Sequence, residues 1–240
     1  MKQQSMMLHS IPTILWGEPA GRLFIAVHGD GSSKTDEVIV MLAEEATEKG
    51  YQILSFDLPE HGDRKDSPEP CKVQNCVCDL QAVMQYARGV TSNISLFAVS
   101  MGAYFSLLAC RDISLKQALF LSPVVDMRRL IENMMEWFDI SEEKLKAQQE
   151  IPTPIGKTLY WDYYSYVKAH PVDKWNVPTA ILYGGKDDLS EYDRVAPFSS
   201  RFGCAMTIME GGEHYFHTHK QLAFFRNWLK ETISDISAIE

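Results

Sequence analysis

Ser100 stands in a context that suits nucleophilic chemistry. It lies between an apolar run and small residues in the segment 97–103, FAVSMGA. A sharp turn from strand to helix can expose a serine hydroxyl, at the cost of a strained backbone, if the flanking positions are small. Ala98 and Gly102 meet this condition, with alanine in place of the first glycine of G-x-S-x-G. The segment therefore predicts a nucleophilic serine at the end of a strand.

The elements that must position this serine follow a regular alternation. Apolar runs rich in β-formers alternate with amphipathic helical stretches, which is typical of parallel strands joined by crossover helices. The predicted strands are 23–27, 51–57, 94–99, 118–121, 179–183 and 206–209. Because these runs are apolar throughout, both faces of the sheet should be covered. The predicted fold class is α/β, a doubly wound and mostly parallel sheet forming a single domain, 1–240.

The segment 126–175 is longer than a crossover helix requires and is interpreted as a helical cap insertion. Helices are predicted over 127–138 and 141–149, the second capped by Ser141. Aromatic residues concentrate in 159–167 and predict either the core of the insertion or the lining of an acyl or aryl pocket. The candidate pocket residues are Trp161, Tyr164 and Met134.

The chain resembles the α/β-hydrolase superfamily from about Leu23 to the C-terminal helix. Besides the motif at Ser100, the segments that carry the resemblance are 27–32 (VHGDGS), 182–188 (LYGGKDD) and 210–216 (EGGEHYF). Each follows a predicted strand, in the order expected of that superfamily. The resemblance implies the α/β-hydrolase fold with a cap, and a serine hydrolase that needs no cofactor.

The resemblance also assigns roles to particular residues. Counting G-x-x-D from Gly184 makes Asp187 the triad acid, and His214 becomes the general base for Ser100. The backbone N–H groups of Asp30 and Met101 would form the oxyanion hole. The Asp30 carboxylate beside that hole would disfavour acidic substrates if it faces inward.

Several alternatives stay open. Asp126 also follows a strand and competes with Asp187 as the acid. His28 is interpreted as stabilising its turn, and the segment 57–63 as a structural turn opposite the nucleophile. Two sets of residues could suggest metal sites: Cys71, Cys76 and Cys78, and His214 with His217 and His219. We favour helix packing for the cysteines and a polar helix start for the histidines, and we expect no metal.

The expected reaction is cleavage of a carboxylic ester or thioester, with a small apolar or aromatic acyl group, through an acyl-enzyme on Ser100. The alternatives are an amidase or peptidase, and a non-catalytic hydrolase-like binding protein. A nucleotide-binding protein is disfavoured because the turn at 28–31 (HGDG) matches neither common phosphate loop.

Composition limits the partners and the location. The 240 residues are 45% hydrophobic with a formal net charge of -9, which gives no basic footprint for nucleic acid or an anionic membrane. Five cysteines without paired spacing suit a reducing compartment, and the N-terminus lacks a signal-like apolar run. We therefore expect a cytoplasmic protein acting on a small molecule, of undetermined oligomeric state.

Overall fold

A computed structural model describes residues 1–233. The last residues of the predicted domain 1–240, which are 234–240, lie outside the described part. Its main feature is an eight-stranded sheet in the order β1-β2-β4-β3-β5-β6-β9-β10. The strands of this sheet are β1 (Gln3–Leu8), β2 (Ile11–Trp16), β3 (Leu23–Val27), β4 (Gln52–Phe56), β5 (Ile94–Val99), β6 (Ala118–Leu121), β9 (Thr179–Gly184) and β10 (Ala205–Met209). From β4 to β10 all neighbours are parallel.

Helices cover both faces of this sheet. They are α1 (Glu37–Glu48), α2 (Val73–Val90), α3 (Met101–Ala109), α4 (Met127–Trp137), α5 (Glu142–Gln148), α6 (Trp161–Ala169), α7 (Tyr192–Phe202) and α8 (His219–Thr232). One buried cluster joins α1 and α8 to the side chains of Phe24 and Phe97, and a second joins α2, α3 and α7 to those of Ile25 and Leu96. The predicted doubly wound, mostly parallel sheet is confirmed.

Side-chain caps fix where several helices begin. Asp36, Asp126 and Ser141 accept hydrogen bonds from backbone N–H groups in the first turns of α1, α4 and α5. Thr218 forms a reciprocal capping box with Gln221 at the start of α8. Such caps each contribute about 1 kcal/mol to helix stability. The prediction that Ser141 caps its helix is confirmed.

Three features differ from the sequence prediction. The first two strands, β1 and β2, extend the sheet in antiparallel fashion, and β1 is an edge strand with mostly exposed side chains. A small hairpin of β7 (Glu150–Pro152) and β8 (Thr158–Tyr160) interrupts the helices of segment 126–175. Helix α7 follows β9 and contains Pro197.

Within residues 1–233, no helix combines the length and the apolar character needed to cross a bilayer.

Candidate active site

Ser100 occupies a strained turn between β5 and α3. Its backbone torsions are φ 50° and ψ −121°, outside the regions that ordinary residues prefer. Such a turn is possible because residue 102 is glycine. A Cβ at this position would lie 2.4 Å from the carbonyl oxygen of His28. The close approach of β3 and α3 therefore requires glycine at 102, while Ala98 fits within the buried centre of β5.

The structure brings Ser100, His214 and Asp187 into one hydrogen-bonded chain. The Oγ of Ser100 lies 2.8 Å from the Nε2 of His214, and Nδ1 of the same ring lies 2.8 Å from the Oδ2 of Asp187. Ser100 is 7% exposed and the Asp187 side chain is fully buried. A carboxylate at Nδ1 fixes the proton there, which leaves Nε2 free to accept the serine proton.

Glycines hold the Asp187 and His214 loops together. A Cβ on Gly184 would lie 2.5 Å from the carbonyl oxygen of Glu213, so only glycine permits this approach. The N–H of Lys186 donates to the carbonyl of Gly212 at 2.8 Å, and a bond from Gly185 to Met209 adds to the contact. The distance between Asp187 and His214 is thus set by backbone contacts between the loops after β9 and β10.

The loop after β3 supplies candidate oxyanion donors beside Ser100. Gly29 packs against Ser100, since a Cβ there would lie 3.2 Å from the Cβ of Ser100. Within residues 1–233, no protein acceptor pairs with the backbone N–H groups of Asp30 and Met101. Two free N–H groups flanking a serine can stabilise an oxyanion.

His28 is buried beneath this loop. Its Nδ1 donates to the carbonyl of Gly29 at 2.7 Å, and its Nε2 accepts from the N–H of Leu58 at 3.0 Å. Burial lowers the pKa of His28 to about 4. The geometry therefore ties the loop after β3 to the end of β4, in line with the structural role expected for this histidine.

The Asp30 side chain points toward a polar cluster at the edge of the site. Its Oδ1 accepts from the Nζ of Lys157 at 2.6 Å and lies 3.3 Å from the Nε2 of His61. Burial would raise the pKa of Asp30, but the hydrogen bonds from His61 and Lys157 outweigh it and lower the pKa to about 2. The carboxylate is therefore charged and compensated by groups from two other segments.

His61 belongs to the segment 57–63, which the sequence predicts as a structural turn. Asp57 fits that role, because it is buried and accepts from the backbone N–H groups of Lys34 and Asp63. His61 does more: its Nε2 accepts from the N–H of Gly31 at 3.1 Å and also lies 3.3 Å from the Oδ1 of Asp30. Against the effect of burial, its bonds with Asp30 and Cys71 raise the pKa of His61 to about 10.

Asp126, the alternative acid, is placed elsewhere. Its Oδ1 accepts from the N–H of Arg129 as the cap of α4, and its nearest cation is Arg194 at 3.9 Å. The hydrogen bond to His214 comes from Asp187 alone among the described residues. The geometry thus favours Asp187 over Asp126 as the partner of the histidine.

The three candidate pocket residues have different surroundings. Tyr164 is 2% exposed, and its hydroxyl donates to Glu132 and Glu142, which places it in the interior of segment 126–175. Trp161 and Met134 are partly buried and pack against the main core. Tyr163, from the same aromatic-rich run, is also partly buried and packs against this core.

Within residues 1–233, no group of three or more His, Cys, Asp or Glu side chains is placed to hold a metal ion.

No family model matches the chain, and no curated protein matches it by sequence. Solved structures, in contrast, match it over nearly its whole length and show that it has the α/β-hydrolase fold.

Three of these structures illustrate the likeness. Est1E from Butyrivibrio proteoclasticus, solved with ferulic acid bound, is 21% identical, with a TM-score of 0.75 over 95% of this chain and 96% of its own. Mouse alpha/beta hydrolase domain-containing protein 10 is 13% identical, with a TM-score of 0.77 over 96% and 98%. A serine hydrolase without a lid, XC6422 from Xanthomonas campestris, is 16% identical, with a TM-score of 0.66 over 96% and 93%. At these identities the likeness establishes the fold alone.

Proposed function

We propose that the protein is a serine hydrolase that cleaves a carboxylic ester or thioester through an acyl-enzyme on Ser100. The observation that carries this proposal is the chain of hydrogen bonds from Ser100 through His214 to Asp187, with 2.8 Å at each step. A non-catalytic binding protein would have no need for this arrangement at a strained serine.

The proposed reaction begins with attack of the Ser100 Oγ on the substrate carbonyl carbon. The Nε2 of His214 accepts the hydroxyl proton, and the buried Asp187 carboxylate stabilises the resulting imidazolium. His214 then gives the proton to the departing alcohol or thiol. Water cleaves the acyl-enzyme by the reverse proton path, with His214 again acting first as the base.

The negative oxygen of each tetrahedral intermediate would be held by the N–H groups of Asp30 and Met101. Both lack a protein acceptor within residues 1–233, and Met101 begins α3, where the helix dipole favours negative charge. Loss of one such donor typically costs about 10²-fold or more in kcat.

For the acyl group we propose a small apolar or aromatic acid. Trp161 and Met134 supply partly buried apolar surface from segment 126–175, which we propose acts as a cap over Ser100. The likeness to Est1E, which binds ferulic acid, supports an aromatic acyl group. The Asp30 carboxylate at the edge of the site is compensated by Lys157 and His61, so its repulsion of a substrate carboxylate is offset there.

The nucleophile is tested with a fluorophosphonate probe and p-nitrophenyl esters. Wild-type protein should be labelled and should hydrolyse the esters, whereas Ser100→Ala should lose labelling and at least about 10³-fold in kcat. Ser200→Ala, an exposed serine on α7, is the matched control and should retain both. Full esterase activity in Ser100→Ala would refute the assignment, and a wild-type protein inert in both assays would favour a binding protein.

The substrate class is tested with a panel at equal concentrations: p-nitrophenyl acetate, butyrate and octanoate, methyl ferulate, an acyl thioester and a matching anilide. We expect cleavage of the esters and the thioester, and slow or no cleavage of the anilide, because an amine leaves less readily. Trp161→Ala should lower kcat/KM most for the aromatic ester. An anilide cleaved as fast as the ester would favour the amidase alternative.

A further inference from the structure

Two thiols lie in contact beside the active-site loops. The Sγ atoms of Cys71 and Cys76 are 3.6 Å apart, and a disulfide needs them at about 2 Å. Cys76 is fully buried in α2, and Cys71 is half-buried in the loop that leads into this helix. A modest shift of the Cys71 loop would close the remaining gap.

The two thiols differ in their surroundings. The hydrogen bond with Cys76 and then the His61 ring lower the pKa of Cys71, although burial opposes this effect. Burial raises the pKa of Cys76. A thiolate is the reactive form of cysteine, so Cys71 is suited to attack an oxidant and Cys76 to resolve the product.

We propose that Cys71 and Cys76 form a redox-active dithiol that a hydroperoxide converts into a disulfide. The Cys71 sulfur attacks the peroxide, so an S–O bond forms and the O–O bond breaks, and the displaced alkoxide or hydroxide takes up a proton. The Cys76 sulfur then attacks the sulfenic acid on Cys71. An S–S bond forms, the S–O bond breaks, and hydroxide leaves with the Cys76 proton as water. The two thiols are oxidised, and the hydroperoxide is reduced to an alcohol or water.

His61 connects this dithiol to the loop that contains Asp30 and Gly31. Its Nε2 lies 3.3 Å from the Oδ1 of Asp30, to which an imidazolium would donate, and 3.1 Å from the N–H of Gly31, from which a neutral ring accepts. A Cys71 thiolate favours the imidazolium and the contact with Asp30. Once oxidation removes that negative charge, the ring loses its proton more readily, which favours the bond with Gly31 over that with Asp30. Oxidation should therefore shift the segment 30–31, which contains a proposed oxyanion donor.

The disulfide is detected directly by mass spectrometry of the full chain. Trypsin cleaves after Lys72, between the two cysteines, so a peptide ending at Lys72 stays attached to the peptide with Cys76 only through the disulfide. Treatment of wild-type protein with hydrogen peroxide should give this linked pair, and dithiothreitol should release it. Cys78→Ser is the matched control, because Cys78 is exposed on the same helix and should not be needed.

Two single variants separate the roles of the thiols. In Cys76→Ser, the sulfenic acid on Cys71 has no resolving partner, so peroxide with dimedone should label Cys71. In Cys71→Ser, the buried Cys76 should stay reduced. In His61→Gln, oxidation near neutral pH should slow by about tenfold or more, because the thiolate loses its cationic partner. The proposal is overturned if peroxide leaves both thiols reduced in folded wild-type protein, or if Cys78 reacts as fast as Cys71.

The effect on catalysis rests on the proposed function and is measured separately. Ester hydrolysis by wild type and Cys78→Ser should change at least about twofold in kcat after peroxide and recover with dithiothreitol, while Cys71→Ser should not respond. A disulfide that forms without any change in kcat would overturn the coupling. Mass spectrometry of the disulfide does not depend on turnover. An inactive enzyme would therefore refute the proposed function, while the linked tryptic peptides would still test the dithiol proposal.

Discussion

The Oδ2 of Asp187 lies 2.8 Å from the Nδ1 of His214, and the second carboxylate oxygen is fixed independently. Its Oδ1 accepts from the backbone N–H groups of Leu189 and Ser190 at 3.0 and 2.8 Å. Because these two donors hold Oδ1 in place, the carboxylate cannot rotate to exchange its two oxygens. The atom that faces His214 is therefore determined by the backbone of the loop after β9.

This arrangement makes Asp187→Asn a sharp test of the acid. The amide oxygen would keep the two backbone donors, so the amide NH₂ would face Nδ1 and favour the tautomer that carries its proton on Nε2. That tautomer cannot accept the Ser100 proton, and kcat for p-nitrophenyl butyrate should fall by about 10³- to 10⁴-fold.

Asp126→Asn is the matched control for this test. Asparagine caps helices about as well as aspartate, so α4 should keep its start and kcat should stay within about twofold of wild type. A larger loss of kcat at Asp126 than at Asp187 would reverse the assignment of the acid.

A second prediction concerns the close contact at Gly102. In Gly102→Ala the new methyl group would meet the carbonyl oxygens of His28 and Val27 at 2.4 and 2.9 Å. The start of α3 must move to relieve this contact, so we expect a loss of about 1–3 kcal/mol in unfolding free energy. Since Ser100 directly precedes this helix, its hydroxyl would be displaced and kcat should fall as well. Urea unfolding and ester hydrolysis measure the two effects.

Gly89→Ala provides the comparison for that variant. Gly89 lies in α2 with no atom within 4 Å of its added methyl group. Alanine favours the helix, so this change should stabilise the protein by up to about 1 kcal/mol and leave kcat unchanged. Equal changes in unfolding free energy and kcat in the two variants would mean that α3 does not pack tightly against the carbonyls of His28 and Val27.

The sequence identified the candidate site residues wherever a short segment marked their positions. Ser100, Asp187 and His214 each follow an apolar strand and stand near glycines, so each could be found in its own segment. The parallel sheet brings the ends of β5, β9 and β10 to one edge, and this converts three local signals into one site.

The residues that sequence reasoning missed depend on contacts between distant segments. Lys157 reaches Asp30 only because the β7–β8 hairpin folds back over the sheet edge, and no local pattern predicts that path. Cys71 lies near His61 because of a loop without regular periodicity. The edge strand β1 was missed because its polar, exposed side chains resemble a loop.

A third prediction addresses the hairpin. Lys157→Met removes the ion pair with Asp30, which joins two half-exposed side chains and should contribute no more than about 1 kcal/mol. The global unfolding free energy should therefore change little, while backbone amides near 153–158 should exchange hydrogen faster. Lys144→Met, an exposed lysine on α5, should leave that exchange unchanged. Identical exchange in both variants would show that Lys157 does not hold the hairpin.

The last prediction uses the buried neutral ring of His28. Burial lowers the pKa of His28 from 6.5 to about 4 in the folded protein. Between these two values the unfolded chain binds a proton that the folded chain does not, so the unfolding free energy falls as the pH decreases, by up to roughly 3 kcal/mol. In His28→Gln this contribution is absent, since an amide does not titrate. Urea unfolding from pH 4.5 to 8 should show a shallower decline for the variant below pH 6.5 and parallel curves above pH 7. Equal slopes throughout would mean that the pKa of His28 is the same in the folded and unfolded chains.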